Sequence, residues 1–354
     1  MRAWASTLRP CAGIRQTYAQ GLAQLQHLPD GAECAQYLLA HVYGGKTVPF
    51  ALSLLRRSAP LSARQQALFG ALCARRAARE PLQYILGEWD FAGLRDVAVR
   101  APTLCPRPET EDLVALAVRV AAGGSGALLD VGTGSGVVGA AMLARLPQWR
   151  GVGIDSSAAA CALARENAAR AGVAARFAIA HADLRAYLPP ARPDLVVSNP
   201  PYIPQADLAG LAPEVAAWED PAALAGGAPR GLGLTLALLA RAAGAWACAP
   251  GTPLLLEVDS THPALLHALL ARGAQAQAPL LLLPASGLGL PRRLSQQEAA
   301  AAPPLTGEEA AQAQGAMAGG TLAALRDRVA FVAAYSSMGL PRIVHLQVSG
   351  ERDA

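Results

Sequence analysis

The sequence is poor in charged and aromatic residues, and this shortage argues against one large class of protein. Charged residues make up only 16% of the 354 residues, and aromatic residues only 5%. Lys46 is the only lysine, the formal net charge is +4, and the arginines are scattered along the chain. Proteins that bind nucleic acid through its phosphates usually carry a denser basic face. We therefore expect no stable nucleic acid binding.

The sequence also lacks the patterns of a metal site and of a membrane segment. None of the 6 cysteines forms a Cys-x-x-Cys pair, and no His/Cys cluster has the spacing of zinc ligands. No apolar run reaches the roughly 18 to 20 residues that span a bilayer, so no membrane segment is expected. Hydrophobic residues nevertheless make up 53% of the chain, which is enough to bury a large core. We expect a monomer with free thiols and no metal.

Acidic residues are missing from the start of the chain, where the first is Asp30. Before it, Arg2, Arg9 and Arg15 are interleaved with apolar residues. A basic, acid-free and amphipathic start is typical of an organelle transit peptide, which we place at residues 1–22, and it predicts a mitochondrial protein. The alternative is an ordinary first helix in an arginine-rich protein, which would leave the protein cytoplasmic.

Two regions precede the main domain. Residues 23–80 have apolar positions at helical spacing, and Ser62 can cap one of the helices, so a small helical domain is predicted there. Residues 81–105 differ, because aromatic and β-branched residues stand among Gly87 and Gly93. That pattern predicts a short hairpin that connects the two domains.

Residues 106–354 alternate predicted strands and helices. The main strands are predicted at 127–131, 151–155, 176–179, 194–198 and 253–258. Such alternation predicts an α/β fold with a doubly wound, mostly parallel sheet of the Rossmann-like kind. Residues 286–322 are rich in Ala, Gly, Gln and Pro and predict a low-complexity insertion that is disordered or loosely helical. Beyond it, two final strands are predicted at 329–334 and 341–348.

A glycine-rich turn follows the first predicted strand of the sheet. It reads Asp130-Val131-Gly132-Thr133-Gly134-Ser135-Gly136. Glycines allow a tight turn and a close approach to a ligand, and the helix that follows presents unpaired N–H groups at its start. The segment also fits the dinucleotide-binding fingerprint. Asp130, whose carboxylate can attract a cationic amine, favours a methyltransferase.

Acidic residues follow the next two strands. Asp155 ends the second strand, about 20 residues beyond the glycines, where a carboxylate can accept hydrogen bonds from both ribose hydroxyls of a nucleotide. Asp183 follows the third strand, where a side chain can approach an adenine edge, and we assign its neighbour Leu184 to the same site. An ordinary turn residue is the alternative at Asp155 and at Asp183.

A proline-rich turn follows the fourth strand and decides between these interpretations. It reads Asn199-Pro200-Pro201-Tyr202. Two prolines end the pairing of the strand and make a rigid loop at the carboxyl edge of the sheet, where ligands bind in open α/β folds. Asn199 Oδ1 and the Pro200 carbonyl can each accept one N–H from an –NH₂ group, and Tyr202 offers a flat face to stack on it.

These acceptors suit a particular chemical problem. An amide nitrogen is a poor nucleophile because its lone pair is delocalised into the carbonyl group. Two acceptors can hold both hydrogens, favour sp³ character and aim the lone pair at a sulfonium methyl group. Positioning contributes much of the rate, and acceptor dipoles that face a nitrogen becoming positive add to it. The turn therefore predicts methylation of a planar amide or amine nitrogen.

Further segments match one known family. They are Pro81-x-Gln83-Tyr84-Ile85-Leu86-Gly87-Glu88-Trp89-x-Phe91-x-Gly93, Pro106-Arg107-Pro108-Glu109-Thr110-Glu111, Glu219-Asp220-Pro221-Ala222-Ala223-Leu224-x-Gly226-Gly227 and Leu255-Leu256-Glu257-Val258-Asp259. With the turns above, they resemble the HemK/PrmC family of protein-(glutamine-N5) methyltransferases, in its animal mitochondrial branch. The sequence departs from the family where Ser336 and Ser337 replace an acid ahead of the last Gly-x-Pro-Arg.

The resemblance implies a class I methyltransferase fold, S-adenosyl-L-methionine as cofactor, and the glutamine of the Gly-Gly-Gln motif of a class I peptide chain release factor as substrate. It implies that Asn199 to Tyr202 hold that glutamine and that the helical domain helps to grip the release factor. The cofactor residues on this interpretation are Asp130, Gly132, Thr133, Gly134, Ser135, Gly136, Asp155, Asp183, Leu184 and Asn199.

Two other functions use the same features. An adenine-N6 methyltransferase would present the Asn199 turn to the exocyclic amine of a base, but it needs a basic, aromatic groove for a flipped base, which this sequence does not display. A non-catalytic binding protein on the same fold is disfavoured by the intact Asp130, glycine turn and Asn199.

Overall fold

The computed structural model describes residues 13–270, 281–284, 292–293, 303, 305–317, 322–337 and 340–349. These residues form two compact units. The first unit takes the described residues up to Gly87 and the segment Pro213–Trp218, and the second takes the others. No helix within the described ranges is long and apolar enough to cross a membrane.

The first unit is helical, as the periodicity of residues 23–80 predicts. Its helices are α1 (Ile14–Leu25), α2 (Gly31–Val42), α3 (Val48–Arg56), α4 (Ala63–Ala77) and α5 (Leu82–Leu86). Ser62 caps α4 as expected: its hydroxyl accepts a hydrogen bond from the Gln65 N–H, and the Gln65 side chain accepts one from the Ser62 N–H. Helix α5 lies where only a hairpin was predicted.

Helix α1 changes one predicted boundary. Residues 14–22, which were assigned to a transit peptide, form most of this helix. Ile14 and Leu25 are buried in the helical unit, at 2% and 0% exposure. Burying a side chain of this kind contributes about 1.5 to 3 kcal/mol, so these residues stabilise the unit. Residues 14–22 thus form part of the packed helical unit, residues 1–12 lie outside the described residues, and the transit peptide stays a prediction.

The second unit begins with a hairpin and contains one large sheet. The hairpin pairs β1 (Glu88–Phe91) with β2 (Leu94–Ala98), within the predicted connector. The sheet comprises β3 (Gly126–Val131), β4 (Trp149–Asp155), β5 (Phe177–His181), β6 (Leu195–Ser198), β7 (Pro253–Glu257), β8 (Leu281–Pro284), β9 (Arg292–Arg293), β10 (Val329–Ser337) and β11 (Leu340–Val348). Its strand order is β5-β4-β3-β6-β7-β11-β10-β8-β9.

The sheet confirms the predicted fold class. Strands β3 to β7 are parallel to their neighbours, and β11 is antiparallel to β7. The chain reverses its winding at β3, which has β4 on one side and β6 on the other. In open α/β sheets, ligands bind at such a reversal, beyond the carboxyl ends of the strands.

Helices cover both faces of this sheet. They are α6 (Pro108–Ala121), α7 (Val137–Arg145), α8 (Ala158–Arg170), α10 (Gly233–Ala243), α11 (His262–Leu270), α12 (Gly307–Ala316) and α13 (Leu322–Arg328), while the single turn α9 (Pro213–Ala216) belongs to the first unit. Neighbouring strand residues point to opposite faces. Leu129 packs in the layer that contains α10 and α11, and Leu128 in the layer that contains α6 and α7.

The predicted insertion is partly an ordered helix. Thr306 and Glu309 form a reciprocal capping box at the start of α12. Ala313 and Met317 are buried in the same core as α10, at 0% and 4% exposure. Of the two alternatives, disordered or loosely helical, residues 307–316 form a helix that packs on the core, whereas 286–291, 294–302, 304 and 318–321 lie outside the described residues.

The two last predicted strands are confirmed. Strands β10 and β11 form an antiparallel pair, and the Ser337 hydroxyl at the end of β10 donates a hydrogen bond to Asp112 Oδ2 at 2.8 Å. Serine in place of the family's acid is therefore compatible with this pairing.

Candidate active site

The glycine turn joins β3 to α7. Gly134 has φ +55° and Gly136 has φ +78°, a region that favours glycine. A Cβ on Gly136 would lie 2.8 Å from the Cβ of Ala164 on α8, so the turn packs tightly against that helix. A Cβ on Gly132 would meet no atom within 4 Å. The turn is thus closed on one side and open on the side where a ligand would lie.

Asp130 braces this turn from inside the protein. Its Oδ2 accepts hydrogen bonds from the Thr133 hydroxyl at 2.7 Å and from the Gly139 N–H at 3.1 Å. The residue is 1% exposed, and burial raises the pKa of its carboxyl to about 6. These contacts give the acid ahead of the glycines a structural role, because Asp130 holds the turn in its shape.

Asp155 lies at the end of β4 and connects that strand to the turn. Its Oδ2 accepts a hydrogen bond from the Gly134 N–H, and its Oδ1 accepts one from the Ser157 N–H at the start of α8. Burial raises the pKa of this carboxyl, while the two N–H donors favour its charged form. The carboxylate is therefore held in one orientation.

A single cleft contains many of the predicted residues. It encloses about 880 Å³, counting its open mouth. Seven predicted residues line it, namely Gly132, Gly134, Asp155, Asp183, Leu184, Asn199 and Pro201. The other predicted residues do not line it, namely Asp130, Thr133, Ser135, Gly136, Pro200 and Tyr202. The cleft thus brings the glycine turn, both acids beyond the strands and the proline turn to one place.

The side chain of Asn199 is anchored at one end. Its Nδ2 donates a hydrogen bond to the hydroxyl of Thr110, in the first turn of α6, at 3.1 Å. Thr110 is buried at 4% exposure. With the nitrogen engaged there, the oxygen at the other end of the amide group is left as an acceptor.

Tyr202 lies in a charged but enclosed environment. Burial raises the pKa of its phenol to about 12, and the nearby Glu257 adds to the shift. Arg342 and Arg107 oppose it. The phenol is therefore neutral at physiological pH, as a ring that stacks on a neutral group should be.

A glycine-rich loop supports the backbone of the proline turn. Gly226 N–H donates to the Ile203 carbonyl at 3.0 Å, and Ile203 N–H donates to the Leu224 carbonyl at 2.9 Å. A Cβ on Gly231 would lie 1.9 Å from the Tyr202 carbonyl oxygen. The loop can approach this closely only because glycine has no side chain.

Part of the cleft was not assigned from the sequence. Pro102, Thr103 and Leu104 line it, and so does Asp220. The Asp220 N–H donates to the Pro102 carbonyl at 2.8 Å, which connects these two segments. Asp220 belongs to a segment already matched to the family, and that match was the available signal. Nothing in their local pattern marked residues 102–104.

Glu219, next to Asp220, also connects its own segment to the segment that follows Leu104. Its Oε2 accepts a hydrogen bond from Arg107 at 2.6 Å, and its Oε1 accepts one from the Cys105 N–H at 3.2 Å. Glu219 is 3% exposed, and burial raises the pKa of its carboxyl, against the effect of Arg107. This ion pair accounts for two further residues that match the family.

Together, these features define a class of enzyme. A parallel sheet with an antiparallel strand beside β7, a glycine turn after β3, an acid at the end of β4 and Asn-Pro-Pro-Tyr after β6 characterise a class I S-adenosylmethionine-dependent methyltransferase. Comparison with known proteins identifies the family within this class.

Residues 16–87 match the PrmC N-terminal domain, and residues 113–214 match the methyltransferase small domain. The human MTRF1L release factor glutamine methyltransferase is 37% identical over 303 residues, which cover 80% of this chain and 88% of that protein. The release factor glutamine methyltransferase of Cereibacter sphaeroides is 40% identical over 255 residues, 72% of this chain and 87% of its own length. The release factor glutamine methyltransferase of Deinococcus radiodurans is 39% identical over 272 residues, which cover 75% of this chain and 92% of that protein. The chain belongs to the release factor glutamine methyltransferase family.

Proposed function

We propose that this protein transfers a methyl group from S-adenosyl-L-methionine to the side-chain amide nitrogen of the glutamine in the Gly-Gly-Gln motif of a class I peptide chain release factor. Membership of the family supports the substrate. The observation that carries the proposal is the anchoring of Asn199, whose Nδ2 is engaged by Thr110 while the residue lines the cleft of the glycine turn.

The cleft suits the cofactor. Gly132 and Gly134 line it where a Cβ would project into space that the ligand needs. Asp155 presents a carboxylate that retains lone pairs for two hydroxyls, and Asp183 and Leu184 line the wall beyond β5. These residues hold S-adenosyl-L-methionine in this proposal. When bound, it supplies an electrophilic methyl group on a positively charged sulfur.

The proline turn acts on the substrate. Asn199 Oδ1 and the Pro200 carbonyl accept the two N–H groups of the glutamine amide, which turns the nitrogen lone pair toward the cleft. Tyr202 packs on the flat amide group. Bound S-adenosyl-L-methionine would supply the methyl group and leave as S-adenosylhomocysteine, and the methylated nitrogen would lose one proton to water. Because the protonated amide is a strong acid, no residue needs to act as a base before the transfer.

A transfer assay tests this function. The full-length protein is incubated with radiolabelled S-adenosyl-L-methionine and, separately, with a release factor, its Gln→Ala variant at the Gly-Gly-Gln motif, and duplex DNA. We expect label on the unmodified release factor only. Label on DNA but not on the release factor would favour an adenine-N6 methyltransferase, and tight cofactor binding without any transfer would favour a binding protein.

We also propose that the protein is directed to mitochondria. The support is the acid-free start of the chain, with Arg2 and Arg9 ahead of the first helix. The full-length protein with a fluorescent domain at its C-terminus should enter mitochondria, and the double substitution Arg2→Glu and Arg9→Glu should leave it in the cytosol. Import that is unaffected by this charge reversal would contradict the proposal.

A further inference from the structure

The two ends of the Asn199 amide group have nearly the same shape but opposite hydrogen-bonding character. The oxygen accepts hydrogen bonds, and the nitrogen donates them. Only the oxygen can receive an N–H of a substrate carboxamide, whereas the nitrogen would suit a carbonyl or carboxylate oxygen. The orientation of this group therefore decides which ligand the cleft accepts, and something must fix it.

Thr110 alone does not fix that orientation. Its hydroxyl accepts the hydrogen bond from Asn199 Nδ2 at 3.1 Å. A hydroxyl can also donate, so it could equally pair with Asn199 Oδ1 if the amide group rotated by half a turn. The direction of the Thr110 proton must be set by another group.

Glu257 is placed to set it. It is the last residue of β7 and is 1% exposed. Its carboxyl group lies within hydrogen-bonding reach of the Thr110 side chain, and its Oε2 is buried with no partner in the described part of the chain. A carboxylate can only accept hydrogen bonds. The Thr110 proton is therefore drawn to Glu257, and the Thr110 lone pairs remain for Asn199 Nδ2.

We propose that Thr110 and Glu257 are positioning residues that hold the Asn199 amide with Oδ1 toward the substrate, so that the cleft selects a carboxamide and rejects a carboxylate. This inference rests on the proposed function, since it assigns Asn199 Oδ1 to the substrate amide. Neither residue touches the reacting atoms. Each acts through the direction of a hydrogen bond.

The surrounding charges make this arrangement sensitive to pH. Burial raises the pKa of Glu257 to about 7; Thr110, Arg342 and Arg107 act to lower it, and Glu109 acts to raise it. The pKa of the neutral Tyr202 phenol also responds to Glu257, and to the nearby Asp259. When Glu257 is protonated, it can donate to Thr110, and the hydroxyl is then free to donate to Asn199. Methyl transfer should therefore fall as the pH drops below about 7.

Two variants of Thr110 form a matched pair that tests whether its hydroxyl orients the Asn199 amide group. Thr110→Val keeps the shape but removes the hydroxyl, and Thr110→Ser keeps the hydroxyl. We expect Thr110→Val to lower kcat by about 10- to 100-fold, the usual effect of removing a partner that orients a functional side chain without touching the reacting atoms. Thr110→Ser should retain most of the activity, and cofactor affinity should be unchanged in both variants. Thr110→Val should denature at a lower urea concentration than wild-type protein, because it leaves buried polar groups of Asn199 and Glu257 without this partner.

A second measurement separates positioning from a structural role. A release factor whose motif glutamine is replaced by glutamate is used as a competitive inhibitor. We expect it to bind wild-type protein poorly and to gain affinity at least several-fold, relative to the glutamine form, in Thr110→Val, because the freed amide group can present its N–H₂. Glu257→Gln should have a lower rate of methyl transfer than wild-type protein. Its activity should no longer fall as the pH drops below about 7, because glutamine does not titrate.

The outcomes are distinct from those of the proposed function. If wild-type protein does not methylate the release factor, the proposed function fails. If wild-type protein is active and Thr110→Val matches it, the positioning inference alone is overturned. A lower rate in Thr110→Val with unchanged discrimination between glutamine and glutamate would also overturn it, because that result would mean that the hydroxyl only supports the fold.

Discussion

The carboxylate of Asp155 accepts a hydrogen bond from the backbone N–H of Gly134 at 2.9 Å. The glycine turn and the end of β4 are thereby held together by the same side chain that faces the cleft. Its other oxygen accepts a hydrogen bond from Ser157 at 2.8 Å. Since each carboxylate oxygen can accept two hydrogen bonds, one position remains on each for a ribose hydroxyl.

Replacing Asp155 should therefore weaken cofactor binding. In Asp155→Asn, an N–H₂ group faces the N–H of either Gly134 or Ser157, so one of these hydrogen bonds is lost. The same change removes an acceptor for one of the proposed ribose hydroxyls. Hydrogen bonds to charged groups contribute about 1.5 to 3 kcal/mol, which predicts a Kd for S-adenosylhomocysteine that rises by roughly 10- to 100-fold. Calorimetric titration measures it, with the exposed Asp207→Asn as control. An unchanged Kd would remove Asp155 from the cofactor site.

The close approach of Gly231 to Tyr202 predicts a different kind of defect. In Gly231→Ala the new Cβ would lie 1.9 Å from the Tyr202 carbonyl oxygen, at a residue with φ +80°. Backbone must move, so we expect methyl transfer to be lost and the free energy of unfolding to fall by more than about 2 kcal/mol. Both are measured, the second by urea denaturation.

Gly172 supplies the matched control for this substitution. It has φ +70°, and a Cβ there would meet no atom within 4 Å. Gly172→Ala therefore carries only the cost of a side chain in the left-handed region, about 1 to 2 kcal/mol, and should keep full activity. If both variants behaved alike, contact with the Tyr202 backbone would not be the reason for glycine at Gly231.

The sequence was most informative where an element and its chemistry are local. The strand that becomes β3 and the turn after it were predicted from neighbouring residues, and the structure places Gly132 and Gly134 on the cleft. Asp130 was predicted to face a ligand, and the structure places it inside the turn instead, on Thr133. Local spacing locates an acid, but it does not say which way the side chain points.

Contacts between distant segments were beyond the sequence pattern. Thr110 and Glu257 lie in α6 and at the end of β7, and only the strand order brings them to Asn199. The bounds and packing of helix α12 were not predicted for another reason, although a loosely helical segment was one of the two alternatives there. Its composition of Ala, Gln and Gly resembles a flexible linker, yet Thr306 and Glu309 carry the spacing of a capping box, which would have predicted its start.

Two buried acids predict how stability depends on pH. Burial raises the pKa of Asp130 to about 6 and that of Glu257 to about 7. Between the usual carboxyl pKa of about 4 and these values, the folded protein binds more protons than the unfolded chain. The contribution of these two groups to the free energy of unfolding should therefore decrease as the pH rises from about 4 to about 7, and they should add no further change above that.

Glu257→Gln should flatten the upper part of this decrease. Urea denaturation at pH values from about 5 to about 8 measures the slope, and the exposed Glu111→Gln is the control. Across this range the free energy of unfolding should change with pH in the same way in wild-type protein and Glu111→Gln, and Glu257→Gln should lack the part of the decrease that Glu257 contributes. Parallel curves for all three proteins would show that Glu257 does not titrate in this window.

Arg76 and Glu214 predict a role for the segment Pro213–Trp218 in the first unit. The Arg76 side chain is only 4% exposed and pairs with Glu214 at 2.9 Å and with Asp30 at 3.0 Å. Burial acts to raise the pKa of Glu214, but Arg76 and Arg79 hold it below its usual value. Glu214→Gln should lower the free energy of unfolding by about 1 to 3 kcal/mol, because a buried guanidinium loses one of its two charged partners.

The pH dependence gives this prediction a control. A carboxyl whose pKa is lowered on folding stabilises the protein above its usual pKa, and that contribution is lost as the pH falls through about 4. The difference in stability between wild-type protein and Glu214→Gln should therefore shrink at acid pH. Arg79→Gln, at a side chain that is 31% exposed, should cost less than Glu214→Gln. A difference that is constant with pH would exclude the ion pair as its cause.

Ala313 tests whether helix α12 belongs to the core. It is 0% exposed and packs in the same cluster as Leu236 on α10, while its neighbour Gln314 is exposed. Ala313→Glu would bury an unpaired carboxylate in an apolar layer and should lower the free energy of unfolding by about 3 kcal/mol or more. Gln314→Glu adds the same group one position along the helix, where it reaches water, and should change stability by less than about 0.5 kcal/mol. Urea denaturation of both variants provides the comparison. Equal, small effects would mean that α12 does not pack on the sheet, and a large effect at Ala313 alone would make this alanine-rich segment a structural part of the methyltransferase domain.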